Sequence, residues 1–280
     1  MSQEERAGYQ RDVKDARQQI EQVSGLDFEL PNRFQIQNRH HWISINIQSF
    51  ERIMAPLSDQ EISRFIRPVQ TVNSGTMAVL LTLLGKNVLG QYDPLLLTDE
   101  TDHGLYFVHP NIQHVGHELN VDMERFRRWI VFHEVTHAAE FGAAPWLSPY
   151  LEKRVHDGIT SVAAGKFEST TFRELDATMT AVEGYAELLM DVAFDQEYHD
   201  LREKLDNRRR QAGPLSGLLR RLFGLDMKRR QYERGKVFFE SIVTEYDLDT
   251  ASTVWTTPEN LPTWEEFDDP AKWIDRMDHT

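Results

Sequence analysis

Cysteine is absent from the 280 residues, which excludes disulfides, thiolate metal sites, iron–sulfur clusters and cysteine nucleophiles. Any metal must therefore be held by histidine and carboxylate. Long apolar runs are missing too. The longest, Met77 to Leu84, is interrupted by Thr82 and falls far short of the roughly 20 residues that cross a bilayer. Met1 to Gln22 is polar and charged, without the apolar core of a secretory signal. The expectation is a cytoplasmic chain with no membrane partner. Internal repeats and low-complexity tracts are also lacking, and lysine is scarce beside arginine.

What is present describes a globular protein: 40% apolar and 27% charged residues, in a chain long enough to bury a sizeable core. The net charge of −14 is unevenly spread. Twelve Lys or Arg against four Asp or Glu between Arg202 and Lys236 give that stretch +8 and leave −22 on the rest. Such a basic stretch could meet a polyanion, but its aromatics Phe223, Tyr232, Phe238 and Phe239 fall at helical spacing with Leu222. That pattern favours core packing over base stacking, so pairing with the acidic remainder is expected rather than a nucleic-acid partner.

Hydrophobic periodicity predicts helices over Gln3 to Val23, His41 to Leu57, Asp59 to Phe65 and Val69 to Leu89, the last stopped by Gly90 to Pro94. Three longer helical stretches follow at Asp122 to Phe141, Phe172 to Leu205 and Met227 to Tyr246. Leu95 to Leu97 and Leu105 to Val108, flanking a polar segment, predict a short β-hairpin. The tail from Thr256, with prolines between Trp255, Trp264 and Trp273, reads as extended and pinned by its aromatics. The fold class is mainly α with a minor β element. Residues 1–100 form an N-terminal helical region and 101–280 the region that carries the chemistry, whether apart or as one compact unit.

The chemistry is concentrated in His133-Glu134-Val135-Thr136-His137. Two histidines four apart on a helix differ by about 40° around its axis and one turn along it. Both rings can therefore reach one zinc ion, with Glu134 beside them as the base that takes a proton from metal-bound water. The flanking Val131, Val135, Ala138 and Ala139 suit a buried helix, and Asp122 is placed to cap it. His117-Glu118 begins the same way, but Val121 stands where the second histidine would be.

A catalytic zinc site takes three protein ligands, and the third must come from elsewhere. The stretch Phe172 to Phe194 is apolar nearly all round and so reads as a buried helix. Yet Asp176, Glu183, Glu187 and Asp191 share one of its faces, and buried carboxylates require a cation or strong donors. A metal opposite that face meets the need, and so do arginines such as Arg173 or those from Arg202 onward. A carboxylate-bridged di-iron bundle would need a second Glu-x-x-His pair on a helix. The other such pair, Glu100 and His103, lies in a polar turn. His109, Tyr150, His156, Tyr185 and His199 are candidates to stabilise an oxyanion.

Glu183-Gly184-Tyr185-Ala186 resembles the segment that supplies the third zinc ligand in gluzincin aminopeptidases. More of the chain resembles the zincin-like metallopeptidase type 2 family, labelled by inference as a hydrolase associated with deazaflavin coenzyme biosynthesis. The similar segments are Val88 to Asp93, Trp129 to Phe141, Pro145 to Leu147, Glu183 to Asp191, Gly224 to Glu233 and Pro258 to Pro262. The resemblance implies an α-rich zincin-like α+β fold and a zinc hydrolase of peptide or amide bonds. His133, His137 and Glu183 are then the ligands and Glu134 is the base. Glu187, one turn beyond Glu183 on the same side of the helix, is expected to accept a hydrogen bond from the free ring nitrogen of a ligand histidine, the alternative being a pair with an arginine. The alternative is a catalytically silent member of the fold that binds or assembles.

Overall fold

In a computed structural model the residues described are 1–28, 34–47, 82, 85–93, 104–163, 169–194, 198–211 and 225–278. The first helix, α1 (Gln3–Ser24), starts where Ser2 Oγ accepts the Glu5 amide and the Glu5 carboxylate accepts the Ser2 amide. This reciprocal pairing satisfies two otherwise orphaned donors. The helix ends at Gly25, whose φ of 64° is the left-handed conformation that glycine adopts without strain. Residues 39–47 are helical, as expected. The rest of that predicted helix, most of the next two, and Leu95 to Leu97 lie outside the described residues.

A three-stranded sheet has the order β1–β3–β2, with β1 at Phe34–Gln37, β2 at Gly90–Asp93 and β3 at Gly104–Val108. Strand β3 is buried along its whole length, and it pairs parallel to β1 and antiparallel to β2. This corrects two sequence expectations. The helix predicted to reach Leu89 has ended by residue 85, and the predicted stop at Gly90 is itself the antiparallel arm. Ladder bonding to a buried strand decides this: Leu89 O accepts the Val108 amide at 2.8 Å, and such non-local pairing outweighs local turn composition. The sheet joins the two halves of the sequence, since β1 and β2 precede residue 100 and β3 follows it.

From β3 the chain enters α2 (His109–Glu118), then α3 (Met123–Ala143), α4 (Leu147–Ala163) and α5 (Ser169–Phe194). Next come α6 (His199–Gln211), α7 (Leu225–Glu245), the short α8 (Leu248–Ser252) and α9 (Pro270–Asp278). Asp122 caps α3 as expected, its Oδ1 accepting the Arg125 amide at 2.8 Å. Helix α1 is fixed to α3 by the buried Asp12–Arg127 pair at 2.6 Å. The stretch predicted as one helix from Phe172 to Leu205 is two helices. Arg202 of α6 meets Glu187 and Asp191 of α5, at 2.6 Å each. On a continuous helix Arg202 would lie about 16 Å beyond Asp191. The tail is not extended but coiled into short helical turns and α9. Trp255 and Trp273 are buried, and the Trp273 indole donates to Asn260 O at 2.8 Å. No helix among the described residues is long and apolar enough to cross a membrane.

Helix α5 packs most extensively on α7, and the crossing is made at Gly184 and Gly235. A methyl on Gly184 would overlap the Gly235 backbone, and one on Gly235 would overlap the Thr180 carbonyl. Backbone cannot step aside as a flexible side chain can. Gly184→Ala should therefore destabilise the protein by about 1–3 kcal/mol, the range for overpacking a close contact, measured by urea denaturation. An unchanged midpoint would contradict the crossing. The same approach fixes the height at which Glu183, the preceding residue, emerges from α5.

Candidate metal centre

Helix α3 presents His133 and His137 on one face, with their Nε2 atoms 3.3 Å apart and their rings at 75°. The buried Glu183 reaches across from α5, its Oε2 lying 3.8 Å from His137 Nε2. One donor atom from each of the three lies within 4.8 Å of the others. Two zinc–nitrogen bonds of about 2.0–2.1 Å at a tetrahedral angle place their nitrogens about 3.3 Å apart, so the imidazole pair fits. From His137 Nε2 the Glu183 oxygen is about half an ångström wide of the same spacing.

Glu134 is also buried and faces the sheet. Its Oε2 accepts the Tyr92 amide of β2 at 3.0 Å, and Gly90 lies directly against its side chain. Trp129, one turn before His133, lies parallel to the His133 ring at 4° with centroids 5.9 Å apart. Tyr92 packs on Phe141 of the same helix at 5.7 Å. Four elements of the fold thus converge: α3 carries the motif, α5 the third carboxylate, β2 the contact to Glu134, and α7 supports α5.

The His137 Nδ1 atom lies 2.8 Å from Glu140 Oε2 on the next turn of α3. Glu140 is completely buried. Burial opposes a charged imidazole at His137, but the Glu140 hydrogen bond and the charges of Glu140, Glu183 and Glu134 prevail and raise its pKa to about 9. Burial likewise drives Glu140 up to about 7, against the pull of His137. Three buried carboxylates around two imidazoles form an acidic pocket that favours a cation.

Glu187, expected at the free nitrogen of a ligand histidine, pairs with Arg202 at 2.6 Å; at His137 that place belongs to Glu140. Asp191 pairs with Arg202 and with Lys236 of α7. Other basic side chains of the described region meet acids as expected, Arg208 with Glu118 and Arg234 with Asp268. Among the oxyanion candidates, Tyr185 is buried and bonded to Ser252 at 2.7 Å, and His109 is bonded to Tyr9 at 3.1 Å. Tyr150 lies under the Arg154 guanidinium, and His156 is exposed. The His199 side chain, Glu100 and His103 lie outside the described residues.

The sequence pattern of the zincin-like metallopeptidase family matches residues 1–166 and 158–274. The chain belongs to this family. A crystal structure from Chloroflexus aurantiacus, described as a candidate hydrolase with a novel fold, is similar at a TM-score of 0.81. It shares 32% identity over 99% of this chain and 91% of its own. No protein of curated function matches. Membership supports a hydrolase with a metal centre. Within this family member, the residues that sequence reasoning missed are Glu140, Tyr92, Gly90 and Trp129. Only Glu140 and Trp129 carried a local signal, at three residues after His137 and four before His133 on the same helix.

Proposed function

We propose that the protein is a zinc-dependent hydrolase of peptide or amide bonds. In this reading His133, His137 and Glu183 hold the ion and Glu134 is the general base. The observation that carries it is the convergence of two imidazole nitrogens 3.3 Å apart and a buried carboxylate, with a further carboxylate fixed beside them by a backbone amide. When bound, zinc supplies Lewis-acid polarisation of water and of the scissile carbonyl. Glu134 accepts the proton of the attacking water and passes it to the departing amine. Glu187, through Arg202, ties α5 to α6 and steadies the helix that presents Glu183.

A peptide-like substrate is supported by the sheet. Among the described residues β2 is an edge strand, and it borders the base. An edge strand offers backbone donors and acceptors to an extended chain. The test of the metal assignment is elemental analysis of protein purified without added metal, together with anomalous scattering at the zinc edge. One zinc per chain at these three side chains is expected. A fully loaded protein whose ion sits elsewhere would end the proposal.

A further inference from the structure

We infer that Glu140 is a positioning residue for the metal centre, holding His137 with its proton on Nδ1 and its Nε2 lone pair directed at the ion. The inference rests on the ligand assignment above. An imidazole that gives Nε2 to a cation must carry its proton on Nδ1, and that proton needs an acceptor. Glu140 Oε2, 2.8 Å away, is that acceptor.

The placement of Glu140 is poorly explained by packing. It has no exposure to solvent and follows two small apolar residues, Ala138 and Ala139, which are also fully buried. A side chain chosen only to fill space there would be apolar, because an ionised carboxylate loses its hydration on burial and must recover it from a partner. The three-residue spacing puts Glu140 on the His137 face of α3, and α5 closes over both. Bound metal reverses the electrostatics of the pocket. The cation draws electron density through the ring and strengthens the Nδ1–H donor, while Glu140 makes the ring a better ligand. Together Glu140 and Glu183 match the charge of a divalent ion, one through the ring and one directly.

Glu140→Gln keeps an acceptor oxygen at the ring but removes the charge. Glu140→Ala removes both. Zinc affinity measured by chelator competition should fall by about 10–100-fold in Glu140→Ala, with Glu140→Gln between it and wild type. In zinc-loaded protein, nitrogen–proton NMR of the histidine rings should show a slowly exchanging His137 Nδ1–H in wild type. That proton should shift upfield in Glu140→Gln and disappear by exchange in Glu140→Ala. A residue that merely fills the interface would leave this resonance in place. If Glu140→Ala does not fold, the near-isosteric Glu140→Gln carries the test through both readouts. His137→Ala, measured in parallel, separates the two levels of the argument. If it too binds zinc like wild type, the ligand assignment fails. If it loses zinc while both Glu140 variants bind as wild type with an unchanged Nδ1–H signal, the positioning role alone is overturned.

Discussion

Replacing Glu134 by glutamine should leave fold and zinc content intact and slow hydrolysis by at least about a hundredfold, the lower end of what a positioned base contributes. The substitution is informative because of how the side chain is held. The Tyr92 amide donates to Glu134 Oε2 at 3.0 Å, and a glutamine carbonyl oxygen can accept the same bond. Position is kept while basicity is lost. Neither histidine is touched, so metal binding should persist, and the thermal midpoint should move little because no buried donor is orphaned. The comparison needs three measurements on both proteins: zinc per chain, melting temperature, and kcat/KM on whichever member of a broad peptide and amide library wild type cleaves best. Equal rates at equal zinc content would remove Glu134 from the chemistry. Absence of hydrolysis by both proteins across the library would favour a binding or assembly role for the fold.

The parts of this site that were legible in the sequence are those set by local rules. His133 and His137 share a helix face through the 3.6-residue repeat, and the Asp122 cap lies within one turn of the helix it starts. Glu183 was visible because a charge on an otherwise apolar helix has to be explained, although its neighbours Glu187 and Asp191 presented the same signal. What separates them is tertiary. Arg202 of α6 pairs with Glu187 and Asp191, while Glu183 faces His137. Glu140 shows the converse. An acid near the end of a helix is ordinary, and only the covering α5 makes this one a buried partner of His137.

The sheet was the least legible element. Strand β1 is four residues long, too short for alternation to register, and β2 has the glycine and Asp-Pro composition of a turn. Helices α2 and α4 were passed over for a related reason. Pro110 and Pro149 stand in their first turns, where a missing amide costs nothing because those amides have no partner within the helix. The same residues that hid β2 make it useful, as the close approach of its first residue to Glu134 demonstrates.

Gly90→Ala should cost activity nearly as much as loss of the base, about a hundredfold, while leaving zinc affinity at wild type and lowering stability by no more than about 1–3 kcal/mol. A Cβ at this position would lie 2.5 Å from Glu134 Cγ and 2.8 Å from both its Cδ and Oε1. These are separations that non-bonded atoms do not sustain, so one group must move. Gly90 is held in the ladder, with Leu89 O bonded to the Val108 amide on one side of it and the strand paired in register along its length. The Glu134 side chain is the softer partner, because a change of rotamer relieves the overlap at small energetic cost. That escape breaks the hydrogen bond from the Tyr92 amide and carries the carboxylate away from the two imidazoles. A displacement of about 1 Å at a catalytic group can cost a hundredfold in rate. Gly90 is not a metal ligand in this reading, and His133, His137 and Glu183 lie on other elements, so chelator competition should return the wild-type zinc affinity. The pattern expected is therefore selective: kcat falls and zinc content holds, while the melting temperature drops only by what the lost Tyr92–Glu134 hydrogen bond contributes. A Gly90→Ala variant with wild-type kcat would mean that Glu134 need not lie against β2 to act. A variant that lost zinc in parallel with activity would mean that the strand supports the ligands rather than the base.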